Sequence, residues 1–195
     1  MKDINKAKVK ACRMSSFILS DSVKKFDSGN KLIDDFFKNE ALEFDEKNIA
    51  ATTIYYDEIT EDVVGFYTIA AGIVSIKTSK IDLKRIEIPT TRETMEEFPS
   101  VNLNYFAVDK EYQNQRVGTA MMYHLFLDLV KSNYDHGIGF SCIFLEALNG
   151  AYDFYEQIGF EPIYPYQEKM YLSSYQMMMS VNKLIDLVRL DDGFN

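Results

Sequence analysis

The stretch YFAVDKEYQNQRVGTAMMYHLFLDLV (residues 105–130) decides how the rest of the chain is read. An apolar run stops at Asp109, a polar segment follows, and an amphipathic run begins at Val117 with Gly118 beside it and Arg116 just before. A strand that ends in a polar turn and opens directly into a helix leaves the first backbone N–H groups of that helix unpaired and aimed at one place. Such a place attracts an anion, typically a phosphate. Gly118 has no Cβ, so a ligand can come close to the backbone there. The dinucleotide fingerprint G-x-G-x-x-G is absent, and the phosphate-loop pattern lacks both its first glycine and its lysine. A coenzyme A pyrophosphate site and an ordinary strand-to-helix turn remain as the two readings.

Working outward, VNLNYFAVD (101–109) reads as a strand, VGTAMMYHLFLDLVKSN (117–133) as a helix, SCIFLEAL (141–148) as a strand and AYDFYEQIGF (151–160) as a short helix closed by Gly159. Strand, helix and strand in that order predict a right-handed parallel crossover. Upstream, residues 51–56 and 63–76 read as two strands joined by the polar turn 57–62, hence an antiparallel meander. Before them, the turn cluster 27–30 caps a helix in which Leu32, Phe36 and Ile33, Phe37, Ala41 recur at helical spacing. After the parallel unit, KMYLSSYQMMM (169–179) predicts a last strand and MMSVNKLIDLVRL (178–190) an amphipathic helix, with 175–195 as a C-terminal helical extension. The polar segment 77–100, with Pro89 and Pro99, reads as an insertion or mobile loop, a candidate lid. The fold class expected is α+β (mixed α/β), a central mixed antiparallel and parallel sheet flanked by helices, within one domain over residues 1–195.

Composition narrows the functions. Hydrophobic residues make up 47% of 195, with only 9 Gly and 4 Pro, which excludes a disordered or fibrous chain. The formal charge is −9, from 21 Lys plus Arg against 30 Asp plus Glu. That balance favours cationic substrates and disfavours polyanions unless a local basic patch overrides it. Cys12 and Cys142 fit no C-x-x-C spacing, so a reduced, cytoplasmic compartment is the simpler reading. The N-terminal residues have no signal-peptide core, and no segment reaches the roughly 18 apolar residues of a membrane span, so no membrane partner is expected. His124 and His136 stand apart from any Cys/His cluster, and no metal site is expected.

AVDKEYQNQRVGTAMM (107–122) followed by IFLEALNGAYDFYEQIGFEP (143–162) resembles the central motifs of the GNAT superfamily of acetyl-CoA-dependent N-acetyltransferases. The first stretch resembles the family's Q/R-x-x-G-x-G/A pyrophosphate loop, with Gln113 and Gly118 on its first and last positions and Arg116 in place of its first glycine. A shifted register through Gln115, Gly118 and Ala120 also satisfies the pattern. The resemblance implies a GNAT-like acyl-CoA N-acyltransferase fold and coenzyme contacts from Phe106, Ala107 and Val108 at the strand end. It also implies contacts from Gln113, Asn114, Gln115 and Arg116 in the loop, and from Val117, Gly118 and Thr119 in the first helical turn. Asn149 and Tyr155 complete the implied coenzyme contacts. An arginine at position 116 calls for a backbone without positive φ, and its guanidinium either reaches a coenzyme phosphate or stays in solvent.

The implied reaction is attack of an uncharged amine on the acetyl thioester. A backbone N–H near Val108 polarises the carbonyl, and Tyr155 protonates the departing thiolate. Glu146 and Asp109 are both candidates for a base, a role that the sequence leaves open.

A second resemblance bears on the acceptor. FDSGNKLIDDFFKNEA (26–41) resembles the N-terminal stretch of GNAT toxins, which acetylate the amino group of aminoacyl-tRNA and are neutralised by an antitoxin; Tyr105 stands where that branch usually carries arginine. Three readings follow. The acidic charge favours a small-molecule or peptide amine acceptor. The toxin reading implies tRNA and an antitoxin as partners and needs a basic patch, for which Lys24, Lys25, Lys31 and Lys38 are candidates. The third is a non-catalytic coenzyme-binding or protein-interaction module, in which SSYQMMMSVNKLIDLVRL (173–190) is either a docking face or core. A homodimer is left open.

Overall fold

A computed structural model of the chain describes residues 2–17, 21–76, 97–164 and 172–191. Most of the segment read as a lid, 77–96, lies outside the described residues, as does the end of the C-terminal extension, 192–195. The chain forms two compact units, Met1–Ala70 with Asn104–Met122, and Ala71–Leu103 with Tyr123–Asn195. The strands are β1 (Val9–Arg13), β2 (Ala51–Asp57), β3 (Val63–Ser75), β4 (Glu97–Val108), β5 (Cys142–Leu148), β6 (Glu161–Pro162) and β7 (Ser174–Ser180). The helices are α1 (Asp21–Lys25), α2 (Lys31–Asn39), α3 (Ala41–Glu46), α4 (Val117–His136), α5 (Tyr152–Ile158) and α6 (Val181–Asp191). Strand order in the seven-stranded sheet is β1-β2-β3-β4-β5-β7-β6. The β4–β5 pair is parallel, and β1–β2, β2–β3, β5–β7 and β6–β7 are antiparallel, which is the mixed sheet expected.

In the first unit, the turn at 27–30 caps α2 as expected: Asn30 accepts from the Leu32 N–H at 3.0 Å and the Ile33 N–H at 3.4 Å. The helix predicted through Ala41 breaks instead at Glu40 (φ −123°), and α3 restarts with Ala41 and Asp45 buried. Phe36 and Phe37 enter a core with Phe26, Ile54 and Phe66, where Phe37 stacks on Phe66 at 4.2 Å. Tyr105, the departure from the toxin pattern, stacks on Phe36 with centroids 3.6 Å apart, so this position serves packing. Gly65 of β3 is required by close approach: a Cβ there would lie 2.7 Å from both the Ala107 carbonyl oxygen and the Met121 sulfur.

Asp45 holds this unit's edge. Its carboxylate, wholly buried, accepts from the backbone N–H groups of Ser15 (3.0 Å) and Thr52 (2.8 Å) and pairs with the Arg13 guanidinium at 2.6 Å. Burial pushes its pKa up, but the hydrogen bonds outweigh that and hold it below the usual carboxylate value. Its contribution to stability is therefore present above the unfolded value, near 3.8, and is lost as pH falls through the folded one. Asp45→Ala orphans two amides and an arginine that is half-exposed. It should cost about 2–3 kcal/mol, less than a fully buried pair. Urea unfolding at pH 7 measures this, and the gap between variant and parent should narrow at pH 3.

In the second unit, β4 starts earlier than expected. Residues 97–100, assigned to the polar loop, are strand, and Pro99 is accommodated near the strand start, where its carbonyl accepts from the Ser141 N–H at 2.8 Å. The β4–β5 ladder covers Ser100–Leu103 against Cys142–Leu145, while β4 runs on to Val108 and β5 to Leu148. β5 then pairs with all of β7, from Cys142↔Ser180 to Leu148↔Ser174. Met177, Met178, Met179 and Leu184 are at most 1% exposed, which places these positions of the 173–190 segment in the core. Among the described residues, no helix is long and apolar enough to cross a membrane.

Candidate active site

The polar turn after β4 has the backbone of an anion cradle. Asn114 (φ 62°) and Arg116 (φ 61°) are left-handed, while Gln113, Gln115 and Val117 between and beside them are not. Alternation of this kind turns successive N–H groups toward one concavity, a nest, and the first turn of α4 adds its own unpaired N–H groups. The first α4 bond closes from the Ala120 N–H to the Arg116 carbonyl at 3.1 Å, so the N–H groups of Val117, Gly118 and Thr119 precede it. Val117 is buried as the anchor of the turn, Gly118 is half-buried, and Asn114, Arg116 and Thr119 are exposed. Phe106, Ala107 and Val108 lead into this cradle on β4, the last two buried. Such a backbone favours an anion.

Arg116 overturns one expectation. A backbone without positive φ was required of it, and the structure gives it φ 61°, the conformation that glycine supplies at no steric cost. The glycine geometry of the loop is retained and the side chain changed, which leaves a cation beside the cradle. Arg116→Gly should relieve about 1 kcal/mol of backbone strain, partly offset by the entropy of glycine in the unfolded chain. Loss of a charge-assisted contact should weaken acetyl-CoA about 10-fold or more. Calorimetry and a melting curve on one preparation separate the two effects, and an unchanged affinity would return the side chain to solvent.

The two glutamines use their side chains inside the protein. Gln113 Nε2 donates to the Ser28 and Val108 carbonyls, both at 2.9 Å. Gln115 Nε2 donates to the Lys2 carbonyl at 2.7 Å, and its Oε1 accepts from the Ile4 N–H at 3.0 Å. Both side-chain amides are thus engaged within the protein, where the family resemblance implies coenzyme contacts. Asp109, weighed as a base, is buried and accepts from the N–H groups of Asp27 (3.0 Å) and Glu111 (2.9 Å), which is a structural assignment. No spacing rule signals these long-range bonds.

Beside the 26–30 turn runs a shallow surface groove of about 370 Å³, lined by Lys25, Lys31 and Lys38 together with Phe26, Asp27, Gly29, Asp34 and Asp35. Three of the four lysines expected to form a basic patch are thus brought together. Two of the carboxylates are engaged within the turn. The Lys110 ammonium beside Asp27 holds its carboxyl below the usual range, and Asp34 accepts from the Ser28 N–H at 2.9 Å and the Ser28 hydroxyl at 2.7 Å.

In the second unit, Asn149 is exposed at the start of a 3-10 turn after β5, and its N–H donates to the Ser173 carbonyl at 3.0 Å. Tyr155 lies on α5, 8% exposed, edge-on to Phe154 (5.2 Å) and Phe160 (5.7 Å). Gly159 (φ 115°) ends the helix and turns the chain so that Phe160 packs back on it. Burial pushes the Tyr155 phenol well above its ordinary pKa, so it is protonated across the physiological range. Glu146, the other candidate base, is exposed and accepts from the Ser174 hydroxyl.

A mixed sheet in which β4 turns through a polar loop into α4, together with a family match over residues 48–162, defines the class: an N-acetyltransferase that takes its acyl group from acetyl-CoA. The chain belongs to the GNAT family, since residues 48–162 match the model described as an acetyltransferase (GNAT) domain. It is similar to a solved bacterial toxin at 17% identity and a TM-score of 0.77, over 94% of this chain and 96% of that one. It is also similar to AtaT complexed with acetyl-methionyl-tRNAfMet, at 20% identity and a TM-score of 0.72 over 92% and 99% of the two chains. A tyrosine-to-phenylalanine variant of KacT matches at 19% and 0.72, over 92% and 98%. At these identities the likenesses establish the fold.

Proposed function

We propose that this chain is the acetyltransferase toxin of a toxin–antitoxin pair, acetylating the α-amino group of an aminoacyl-tRNA. The observation that carries the reading is the lysine groove beside the 26–30 turn. The overall charge of −9 argued for a small cationic acceptor. A polyanion, however, responds to the field where it lands, and there three lysines share one groove with three carboxylates, of which Asp27 is paired with Lys110 and Asp34 is turned to Ser28. The likeness to the tRNA-bound AtaT structure spans 92% of this chain and 99% of that one. A solved structure of AtaT bound to the C-terminus of the antitoxin AtaR supports an antitoxin as the partner here. Each unit is built from two separate chain segments, which supports reading residues 1–195 as one acetyltransferase domain.

When bound, acetyl-CoA supplies an acetyl thioester. The cradle of Asn114–Thr119 backbone N–H groups would hold its pyrophosphate, with the Arg116 guanidinium alongside. The Val108 N–H, at the end of β4, would polarise the carbonyl, and the groove lysines would hold the acceptor's phosphates. Tyr155 would deliver its phenol proton to the sulfur that leaves. The α-amino group of an aminoacyl ester is a weak base, so much of it is uncharged near neutrality and a dedicated protein base is unnecessary.

The test is thiol release from acetyl-CoA with purified protein and a panel of charged tRNAs, set against polyamines and short peptides. Turnover on charged tRNA with little on small amines is expected. The reverse pattern would restore the small-amine reading that the acidic surface favours.

A further inference from the structure

We propose that Gln113 is a positioning residue that ties the acceptor groove to the end of β4, acting on acceptor placement and not on coenzyme affinity. This rests on the tRNA-acetylating reading. The Gln113 side-chain amide has two N–H donors on one planar group, and the structure spends both: Nε2 donates to the Ser28 carbonyl and to the Val108 carbonyl, each at 2.9 Å. Ser28 lies between Asp27 and Gly29, which line the lysine groove. Val108 is the last residue of β4, the strand that leads into the cradle. One side chain therefore spans the wall of one substrate's groove and the strand end that serves the other, across 85 residues of sequence.

The surrounding bonds show that the wall is held as a unit. Asp109 accepts from the Asp27 N–H at 3.0 Å, and the Lys110 N–H donates to the Asp27 carbonyl at 2.8 Å. Within the turn, Asp27 accepts from the Gly29 N–H at 2.9 Å, and Asp34 fixes Ser28 through its N–H and hydroxyl. The staples at Asp27 hold one end of the turn. Gln113 holds its middle, at Ser28, and its Nε2 also donates to Val108, the last residue of β4. Releasing it would let the groove wall shift against the strand end by a fraction of the turn's own width. A misplacement of about 1 Å between reacting groups costs up to about 100-fold in rate.

Three variants of the full chain test this. Gln113→Met keeps the length and removes both donors; Gln113→Glu places a carboxylate against two carbonyls; Gln113→Arg restores paired N–H donors. Turnover is read by thiol release with charged tRNA, coenzyme binding by calorimetry with acetyl-CoA alone, and the turn by hydrogen exchange at the Asp27 and Ser28 amides. Gln113→Met and Gln113→Glu should lower kcat/KM for the acceptor about 10- to 100-fold and lose amide protection in the turn. Acetyl-CoA affinity should stay within about twofold, and Gln113→Arg should recover most of the rate. A weakened acetyl-CoA affinity with acceptor kinetics unchanged would make Gln113 a coenzyme ligand and overturn the proposal. Unchanged amide protection in Gln113→Met would also overturn it, whatever the acceptor proves to be. Inactivity of the parent protein on every charged tRNA would instead defeat the proposed function.

Discussion

Tyr155→Phe should lower kcat by about two to four orders of magnitude, the usual worth of a positioned proton donor, with acetyl-CoA affinity nearly unchanged. The separation of effects follows from the packing. The ring is held edge-on by Phe154 and Phe160, and phenylalanine keeps both contacts. What is lost is one oxygen and its proton. Burial raises the phenol's pKa, so its proton is present throughout the working range, while the same shift makes it a weaker acid than a thiol of ordinary pKa about 8.5 and leaves the transfer to be driven by collapse of the tetrahedral intermediate. The pH profile of the parent should therefore rise as the acceptor amine loses its proton and show no descending limb below about pH 10. Full turnover in the variant, or a descending limb near pH 8 in the parent, would remove Tyr155 from the acid role.

The arrangement around that residue was legible because periodicity carries it. The alternation of apolar runs between 101 and 160 gives β4, α4, β5 and α5 to within a few residues, and the turn cluster at 27–30 gives the start of α2. β1 was not legible: Val9–Arg13 shows almost no buried face and is held by backbone pairing to β2, so its sequence carries no hydrophobic pattern. The break at Glu40 was hidden for a related reason, since Ala41 continues the apolar spacing of α2 although α3 carries it. At the site, the sequence marks which residues form the loop but not what their side chains do. Gln113 and Gln115 find partners 85 and more than 100 residues away, and Arg116 adopts a glycine conformation that its own propensity opposes. Each is decided by the tertiary neighbourhood.

The second large effect concerns the groove. The triple variant Lys25→Glu, Lys31→Glu, Lys38→Glu should abolish measurable acetylation of charged tRNA while leaving acetyl-CoA binding intact, because the cradle of Asn114–Thr119 uses none of the three. Counterion release sets the size. Each phosphate contact contributes about 0.7–0.9 to the slope of log affinity against log salt, so removing three should flatten the parent's slope by about two to three. Between 50 and 200 mM salt the parent should therefore lose roughly 20- to 40-fold more affinity than the variant. Phe26, Asp27 and Asp34, which build the turn itself, are unaltered, so the groove should keep its shape while its three cations, which balance Asp27, Asp34 and Asp35, are replaced by anions. The single replacements should each cost part of the effect in kcat/KM, with kcat at saturating tRNA nearly unchanged, since phosphate contacts position the acceptor without touching the reacting atoms. A chain that used a small cationic amine would respond in the opposite sense: reversing three lysines deepens an already negative field and should lower KM for a polyamine. The direction of one KM change thus decides between the two acceptors, and it does so even where both are turned over slowly.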